Sequence, residues 1–398
     1  MQPLRNDRYA RHRLIPGFSQ ELVSSLRVGI VGAGAIGNEV IKNLLLIGVG
    51  NIDVYDFDTT ELSNLTRSVF LREADIGLNK AQAVVNRATE LHPSTRMRAF
   101  AGPIDRTLSL QQFAYYHIVI AAVDNIAARL RINDMALLTN TPWINTAIDS
   151  RNAVVELFPC NLSINAGQTA CYVCNLPESV FEREAQRYSC GGLQRAALLT
   201  RTVPTTAITA SAVGALATSE LLRYMHASNP ATKSNDLLGS YKTTIAQRVF
   251  FDTVTPSISR THLLRASNER SCFGCGLHSK LGLVNAQSLR GPDLVKKVNE
   301  RPEQSIYLSD ALIVDCHCTR CNANENNTPR LKALLGTRAR EQTDAILHCN
   351  HCLNETISID VRETLNTDDF KKHFEEKKPD CAWLMQGDIC FDLLPTNL

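Results

Sequence analysis

The sequence predicts an α/β protein with a mainly parallel sheet, followed by a small cysteine-rich region. Two observations support this prediction. Over roughly the first two thirds of the chain, short apolar runs alternate with helical segments, which is the pattern of strand–helix–strand units in a parallel sheet. Beyond about residue 276 the alternation stops, and pairs of cysteines separated by polar stretches replace it.

The predicted elements follow in chain order. Leu26–Val31 is a short apolar run, which is typical of a buried parallel strand, and Asn51–Phe57 is a second one. Between them Asn38–Ile47 has helical character, and the glycine after it ends the helix. Further helices are predicted over Ala81–Glu90 and Thr205–Met225, and further strands over His117–Val123, Pro142–Ile148 and Tyr241–Thr253.

The composition is that of an ordinary globular protein. The 398 residues are 44% hydrophobic and 21% charged, and the formal net charge is +2, which does not favour nucleic acid as a partner. We expect no membrane span, because no apolar run reaches the required length. The charged start lacks a signal-peptide core, so we expect a cytoplasmic protein. The length predicts two or three domains, and we place them at 1–276, with an N-terminal arm over 1–25, and at 277–398.

A glycine-rich loop connects the first strand to the first long helix. Its glycines would let backbone amides approach a phosphate or a ribose at the helix N-terminus. Asp56 ends the second strand, where a carboxylate can hold ribose hydroxyls. These two features suit a dinucleotide-dependent dehydrogenase as well as an ATP enzyme. The loop residues are Gly32, Gly34, Ala35 and Gly37.

The charged residues that follow separate the two alternatives. A nicotinamide site has no need for an arginine, a lysine and an aspartate at the carboxyl ends of strands. A triphosphate does, because cations neutralise charge around the transferring phosphorus and a carboxylate holds Mg²⁺. The sequence therefore predicts ATP with Mg²⁺ as ligands. The candidate residues beyond Asp56 are Asp58, Ser63, Asn64, Arg67, Lys80, Asp124 and Asn125.

Taken in order, these motifs resemble the ubiquitin-activating-enzyme-like (E1-like) superfamily, the ThiF/MoeB/HesA group. The resemblance covers about residues 5–275 and rests on RYARH at 8–12, the glycine loop, DFD, SNLTR, GLNKA, VDN and a first CxxC pair. It implies a Rossmann-like E1-type adenylation domain, a crossover loop over about 175–204, and ATP-dependent adenylation of a carboxylate in a homodimer. Ala35 departs from the pattern, because many relatives have a second consecutive glycine there.

The resemblance also implies a role for each site residue. Asp56 corresponds to the ribose-binding acid. The phosphate-contacting groups correspond to Asn64, Arg67 and Lys80. Asp124 corresponds to the Mg²⁺-associated acid, with Asn125 beside it. Arg11 corresponds to an arginine that reaches into the site of the partner subunit. The expected catalytic set is thus Arg11, Arg67, Lys80 and Asp124.

Cysteine spacing predicts two structural zinc ions per chain. Cytosolic thiols stay reduced, so short-spaced pairs indicate metal rather than disulfides. The region 277–398 shows few large apolar residues, and a metal would stabilise it. The first predicted Cys₄ set is Cys171, Cys174, Cys272 and Cys275. The second is Cys318, Cys321, Cys349 and Cys352, with Cys316, His317, His348 and His351 as nearby alternatives.

Cys190 lies in the YSCGG segment, within the predicted crossover loop. Some relatives place a reactive cysteine near this position, so Cys190 is a candidate nucleophile that would capture the adenylate. The alternative is a loop cysteine without a role.

Three hypotheses about the function remain, two of which differ in the substrate. The first is a ribosomally made precursor peptide, as in natural-product (RiPP) antibiotic biosynthesis, with the acyl-adenylate captured by an internal nucleophile. The second is the C-terminal glycine of a ubiquitin-like sulfur carrier for thiamine or molybdenum-cofactor synthesis. The third, an idle scaffold, is disfavoured because the catalytic set is present. The extension 277–398 shows no recognisable sulfurtransferase pattern, which favours a peptide-modifying member of the microcin C or pantocin A type.

Overall fold

The computed structural model covers most of the chain. It describes residues 7–148, 151–160, 170–177, 205–229, 245–265, 272, 274–276, 282–287, 289, 291–321, 323–324, 329–342, 352 and 357–396. The statements below concern these residues. The predicted nucleophile Cys190, most of the predicted crossover loop, and Cys349, His348 and His351 lie outside them.

The first sheet contains eight strands among the described residues, in the order β3-β2-β1-β4-β5-β6-β7-β8. The first five strands run parallel, and β6, β7 and β8 continue the sheet in antiparallel pairs. This is the mainly parallel sheet that the sequence predicts. The strands are β1 (Arg27–Val31), β2 (Asn51–Asp56), β3 (Arg96–Ala101), β4 (Ile118–Ala121), β5 (Trp143–Ile148), β6 (Asn152–Phe158), β7 (Gln247–Asp252) and β8 (Ser257–His262).

Helices cover both faces of this sheet. Alternate side chains of β1 point to opposite faces, so Ile30 belongs to one apolar core and Val31 to the other. The long helices α2, α3 and α7 pack in the first core, and α5 and α6 pack in the second. The helices are α1 (Gln20–Ser25), α2 (Ala35–Ile47), α3 (Lys80–Leu91), α4 (Ile104–Thr107), α5 (Leu110–Tyr115), α6 (Ile126–Thr139) and α7 (Ala207–Ala227).

The C-terminal region forms a second sheet in the order β11-β10-β12-β13-β9, antiparallel except for the β13–β9 pair. It has its own apolar core, which includes Leu312, Phe370, Phe374 and Phe391. The expectation of few large apolar residues here was therefore wrong. The elements are β9 (Gly282–Asn285), α8 (Gly291–Val298), β10 (Ile306–Cys318), α9 (Pro329–Leu334), β11 (Ile357–Leu365), α10 (Thr367–Phe374), β12 (Trp383–Gln386) and β13 (Ile389–Asp392).

The second sheet packs directly on the first. Trp383 and Cys390 belong to the same apolar core as Phe113 of α5. The Gln111 amide donates a hydrogen bond of 3.0 Å to the carboxylate of Asp392. The two sheets therefore share an apolar and polar interface.

The observed elements agree with the predicted ones in position and differ at their ends. The helix predicted from Asn38 begins at Ala35, because the glycine loop enters the helix directly. Among the elements of the first sheet and its helices, the strands β3, β6 and β8 and the helices α4, α5 and α6 were not predicted. None of the helices in the described part of the chain is long and apolar enough to cross a membrane.

Candidate nucleotide and metal sites

A cavity of about 750 Å³ lies at the carboxyl ends of the parallel strands. Val31 of β1, Asp56 of β2 and Ala122 after β4 line it. From β1 the chain continues to β2 and β3 on one side of the sheet and then to β4 and β5 on the other side. Ligands of open α/β sheets bind at such a switch point in the strand order. The position of the cavity therefore follows from the topology.

The glycine loop forms one edge of the cavity. Gly32 has a φ of +99°, and a Cβ there would lie 2.4 Å from the Ala122 carbonyl oxygen. A Cβ on Gly37 would lie 2.0 Å from the Gly32 carbonyl oxygen, so Gly37 serves close packing and does not line the cavity. Around Gly34, by contrast, a Cβ would meet no heavy atom within 4 Å. Gly34 and Ala35 thus leave room at the N-terminus of α2 for an anionic ligand.

Asp56 is held by the loop that it faces. Its carboxylate accepts hydrogen bonds from the amides of Ala33 (2.6 Å) and Asp58 (2.8 Å). Burial raises the pKa of Asp56, and these amides and the charge of Lys80 oppose the rise. The carboxylate is fixed where it can accept hydrogen bonds from ribose hydroxyls.

All three predicted phosphate-contacting groups line the same cavity: Asn64, Arg67 and Lys80. The Arg67 guanidinium donates to the Ser63 carbonyl oxygen (2.8 Å), so Ser63 positions this arginine without lining the cavity. The Lys80 Nζ lies 2.8 Å from the Asp58 carboxylate. Two cations and an amide therefore converge on one wall, which fits a polyphosphate.

Asp124 and Asn125 follow β4 on the other side of the glycine loop, and both line the cavity. Asn125 caps α6 by accepting the Ala128 amide (2.8 Å). Asp124 is exposed and faces the cavity, and an accessible carboxylate suits a Mg²⁺ ion that keeps several waters.

Arg11 does not line the cavity of its own chain. It lies exposed at the start of a short helical turn in the N-terminal arm. The other wall residues that the sequence analysis missed include Asp105 and Arg131. No local pattern marks them, because their partners lie far along the chain, in the second sheet.

The first cysteine set is assembled in the structure. The thiols of Cys171, Cys174, Cys272 and Cys275 lie within 4.8 Å of one another, with Sγ–Sγ distances from 3.3 Å to 3.8 Å. Four thiolates around zinc, each about 2.3 Å from the metal, are spaced by about 3.8 Å. The donors and their spacing fit a structural zinc ion.

The second cysteine set is assembled in part. Cys318, Cys321 and Cys352 offer thiols within 4.8 Å of one another. Of the alternative ligands, the structure describes Cys316 and His317, and neither belongs to this group of thiols. Cys316 is buried and its thiol donates to the Leu331 carbonyl oxygen (3.2 Å), and His317 contacts Asp315 (3.2 Å).

Known proteins resemble part of this chain. The family model described as ThiF family matches residues 7–272. The Sulfur carrier protein adenylyltransferase of Thermus thermophilus is 31% identical over 175 residues, which are 43% of this chain and 64% of that protein. The Probable adenylyltransferase/sulfurtransferase MoeZ of Mycobacterium tuberculosis is 33% identical over 140 residues, 34% of this chain and 36% of that one. The chain thus spans less than two thirds of these relatives.

Solved structures show the same fold. E. coli MccB with SeMet MccA superposes with a TM-score of 0.51 at 21% identity, covering 67% of this chain and 74% of that one. E. coli MccB with MccA-N7isoASN gives a TM-score of 0.50 at 22% identity, covering 69% and 76%. The family match spans more than half of the sequence and agrees with the resemblance drawn from the motifs, and the chain therefore belongs to the ThiF family.

Proposed function

We propose that this chain is an E1-like adenylyltransferase, which joins a substrate carboxylate to the AMP part of ATP and releases pyrophosphate. One observation carries the proposal: a single cavity is lined by Asp56, by the two cations Arg67 and Lys80, and by Asp124, around an open glycine loop. A dehydrogenase site would not need the two cations. The ThiF family match adds support, since residues 7–272 include every residue that lines this cavity.

Each residue has a role in the proposed reaction. A carboxylate oxygen attacks the α-phosphorus, the bond from that phosphorus to the bridging oxygen breaks, and pyrophosphate leaves. Arg67 and Lys80 stabilise the negative charge that develops. Asp56 orients the ribose. Asp124 would hold Mg²⁺, which neutralises phosphate charge when it is bound.

The test of adenylation is ATP binding and pyrophosphate exchange. Titration calorimetry should show binding of ATP with Mg²⁺ and none of NAD or FAD. Labelled pyrophosphate should enter ATP only when a carboxylate substrate is present. Tight NAD binding without ATP binding would contradict the proposal.

We propose that the carboxylate belongs to a ribosomally made precursor peptide, and that residues 277–398 form a domain that helps hold it. The support is the position of the second sheet, which contacts the cavity wall through Asp310 and Arg131. A peptide held there would keep an Asp or Glu side chain near the α-phosphorus, and such positioning can supply several kcal/mol of a barrier. An internal nucleophile of the peptide would then capture the activated carbonyl, so Cys190→Ala should keep activity.

The second candidate substrate is the C-terminal glycine of a ubiquitin-like sulfur carrier. The observation that favours it is the name of the Thermus thermophilus relative, a Sulfur carrier protein adenylyltransferase. Mass spectrometry separates the two candidates. A precursor peptide incubated with enzyme and ATP should lose one water, whereas a Gly-Gly-ended carrier should gain an adenylate. Modification of the carrier alone would exclude the peptide.

A further inference from the structure

Two side chains of the cavity wall are ion-paired with the second sheet. Arg131 of α6 lies 2.6 Å from a carboxylate oxygen of Asp310 in β10. Asp105 of α4 lies 3.0 Å from the guanidinium of Arg338. Asp310 and Arg338 approach each other to 3.8 Å, so the four residues form one chain of alternating charge. We call Arg131, Asp310, Arg338 and Asp105 the wall network.

The wall network is buried. The side chains of Asp310 and Arg338 are 3% and 1% exposed, and those of Arg131 and Asp105 are each 10% exposed. Charges removed from water are costly unless they are paired, and removing one partner leaves the other uncompensated. Each member is therefore held in place by its neighbours, and the network has little freedom to rearrange.

Further contacts fix the two members on the side of the second sheet, Asp310 in β10 and Arg338, which bridges to Leu312 of the same strand. Asp310 accepts hydrogen bonds from the Ser309 hydroxyl (2.7 Å) and the Ala382 amide (3.2 Å). Arg338 donates to the carbonyl oxygens of Asp380 (3.0 Å) and Asp105 (2.9 Å). The second sheet thus holds a rigid anion and a rigid cation against the two wall residues.

The other two members of the wall network, Arg131 and Asp105, are fixed by contacts with the second and the first sheet, respectively. The Arg131 guanidinium lies 4.5 Å from the centre of the Trp383 ring, a favourable cation–π distance. Asp105 follows the loop after β3, and in that loop the Gly102 amide donates to the Asp56 carbonyl oxygen (3.1 Å). The wall that carries Asp105 is therefore bonded to the strand that carries the proposed ribose-binding acid.

We propose that Asp310 and Arg338 are positioning residues of the nucleotide cavity. They act through Arg131 and Asp105, whose placement they set, so the second sheet is part of the nucleotide site. This inference rests on the proposed ATP-binding function. The wall network reaches the side of the cavity formed by β2, where Asp56 would hold the ribose. Its loss should therefore weaken ATP binding more than it slows the chemical step at phosphorus.

The experiment measures ATP affinity by calorimetry in the full-length protein. Asp310→Asn keeps the size of the side chain and removes the charge that faces Arg131. Arg338→Lys keeps the buried positive charge and removes the fork geometry of the guanidinium. It therefore tests the network even if the Asp310→Asn protein, which loses a buried charge, does not fold. Each should raise the ATP Kd about tenfold, and the KM for ATP in step with it, while kcat changes less.

Arg106→Gln is the matched control. Arg106 joins the same two sheets by pairing with Asp380 and Glu341, but it does not line the cavity. Its ATP Kd should stay close to that of the wild-type protein. Thermal unfolding reports whether each variant is folded.

The outcomes separate this inference from the proposed function. A wild-type protein that does not bind ATP would overturn both. A wild-type protein that binds ATP, with folded Asp310→Asn and Arg338→Lys proteins of unchanged Kd, would overturn the positioning role alone. An equal loss of affinity in Arg106→Gln would also overturn it, because general loosening of the interface would then explain the effect.

Discussion

Lys80 and Asp58 form an ion pair at the cavity, with the ammonium nitrogen 2.8 Å from a carboxylate oxygen. The Lys80 amide also donates to the Asp58 carbonyl oxygen (2.8 Å), so Asp58 positions this lysine through both backbone and side chain. The Lys80 side chain is 13% exposed and that of Asp58 is 48% exposed. An ion pair with so exposed a partner is weak, so a triphosphate can replace the carboxylate.

The first prediction concerns this lysine. Lys80→Ala should lower the rate of adenylation about 10²–10³-fold, because one lost contact to the charge of a transition state costs about that much. Pyrophosphate exchange measures the rate. The control is Lys42→Ala, which removes a lysine paired with Glu39 on α2 but absent from the cavity wall. Equal rates for the two variants would argue against a role for Lys80 at the phosphates.

The nucleotide cavity could be predicted from the sequence because its parts lie in local patterns. Buried parallel strands appear as apolar runs, and the residues just after them share one edge of the sheet. Asp56 and Asp124 are found in this way. Asp105 and Arg131 could not be, because their role depends on partners that are distant in the chain and are brought close only by the packing of the two sheets.

The second sheet was not predicted for a related reason. Its strands pair in the order β11-β10-β12-β13-β9, which joins segments far apart in the sequence. Its core combines residues from separate strands and helices, such as Leu312 of β10 and Phe370 of α10, without the regular alternation of strands and helices that marks the first sheet. The cysteine pairs were the only strong local signal in this region.

The second prediction concerns the metal content. The wild-type protein should contain about two zinc ions per chain by elemental analysis, one for each cysteine set. Cys171→Ser and Cys318→Ser should each lose about one, because a site with a missing thiolate binds zinc more weakly. Cys390→Ala is the control, since this buried thiol belongs to neither set. One zinc ion or none in the wild-type protein would refute the second site.

The third prediction concerns the pH dependence of stability. Burial raises the pKa of Asp134 from 3.8 to about 6, opposed by the charge of Arg131 and the neighbouring Asn133 side chain and assisted by the charge of Glu363. Between these two values the native state holds more protons than the unfolded state. The contribution of Asp134 to stability therefore falls as the pH rises from about 4 to about 6, and stays low above that range.

Asp134→Asn should remove this slope and stabilise the protein at pH 7 relative to the wild type. Urea unfolding at a series of pH values measures the free energy of unfolding. Glu90→Gln, a change at an exposed carboxylate on α3, is the control and should keep the wild-type slope. An unchanged slope in Asp134→Asn would contradict the assignment.

The last prediction concerns the proposed homodimer. Arg11 lies exposed on the N-terminal arm and does not line the cavity of its own chain, as expected of a group that acts in the partner's site. Arg11→Ala and Asp124→Ala proteins should each be inactive. After subunit exchange the mixed dimer keeps one site with both groups, so the mixture should regain about a quarter of wild-type activity. A mixture of Lys80→Ala and Asp124→Ala proteins should stay inactive, because each change damages the cavity of the chain that carries it and no intact site forms. Arg13→Ala, a change at a neighbouring arm residue paired with Asp7, should remain active by itself. If mass spectrometry shows exchanged dimers and the first mixture stays inactive, Arg11 does not act on the partner's site.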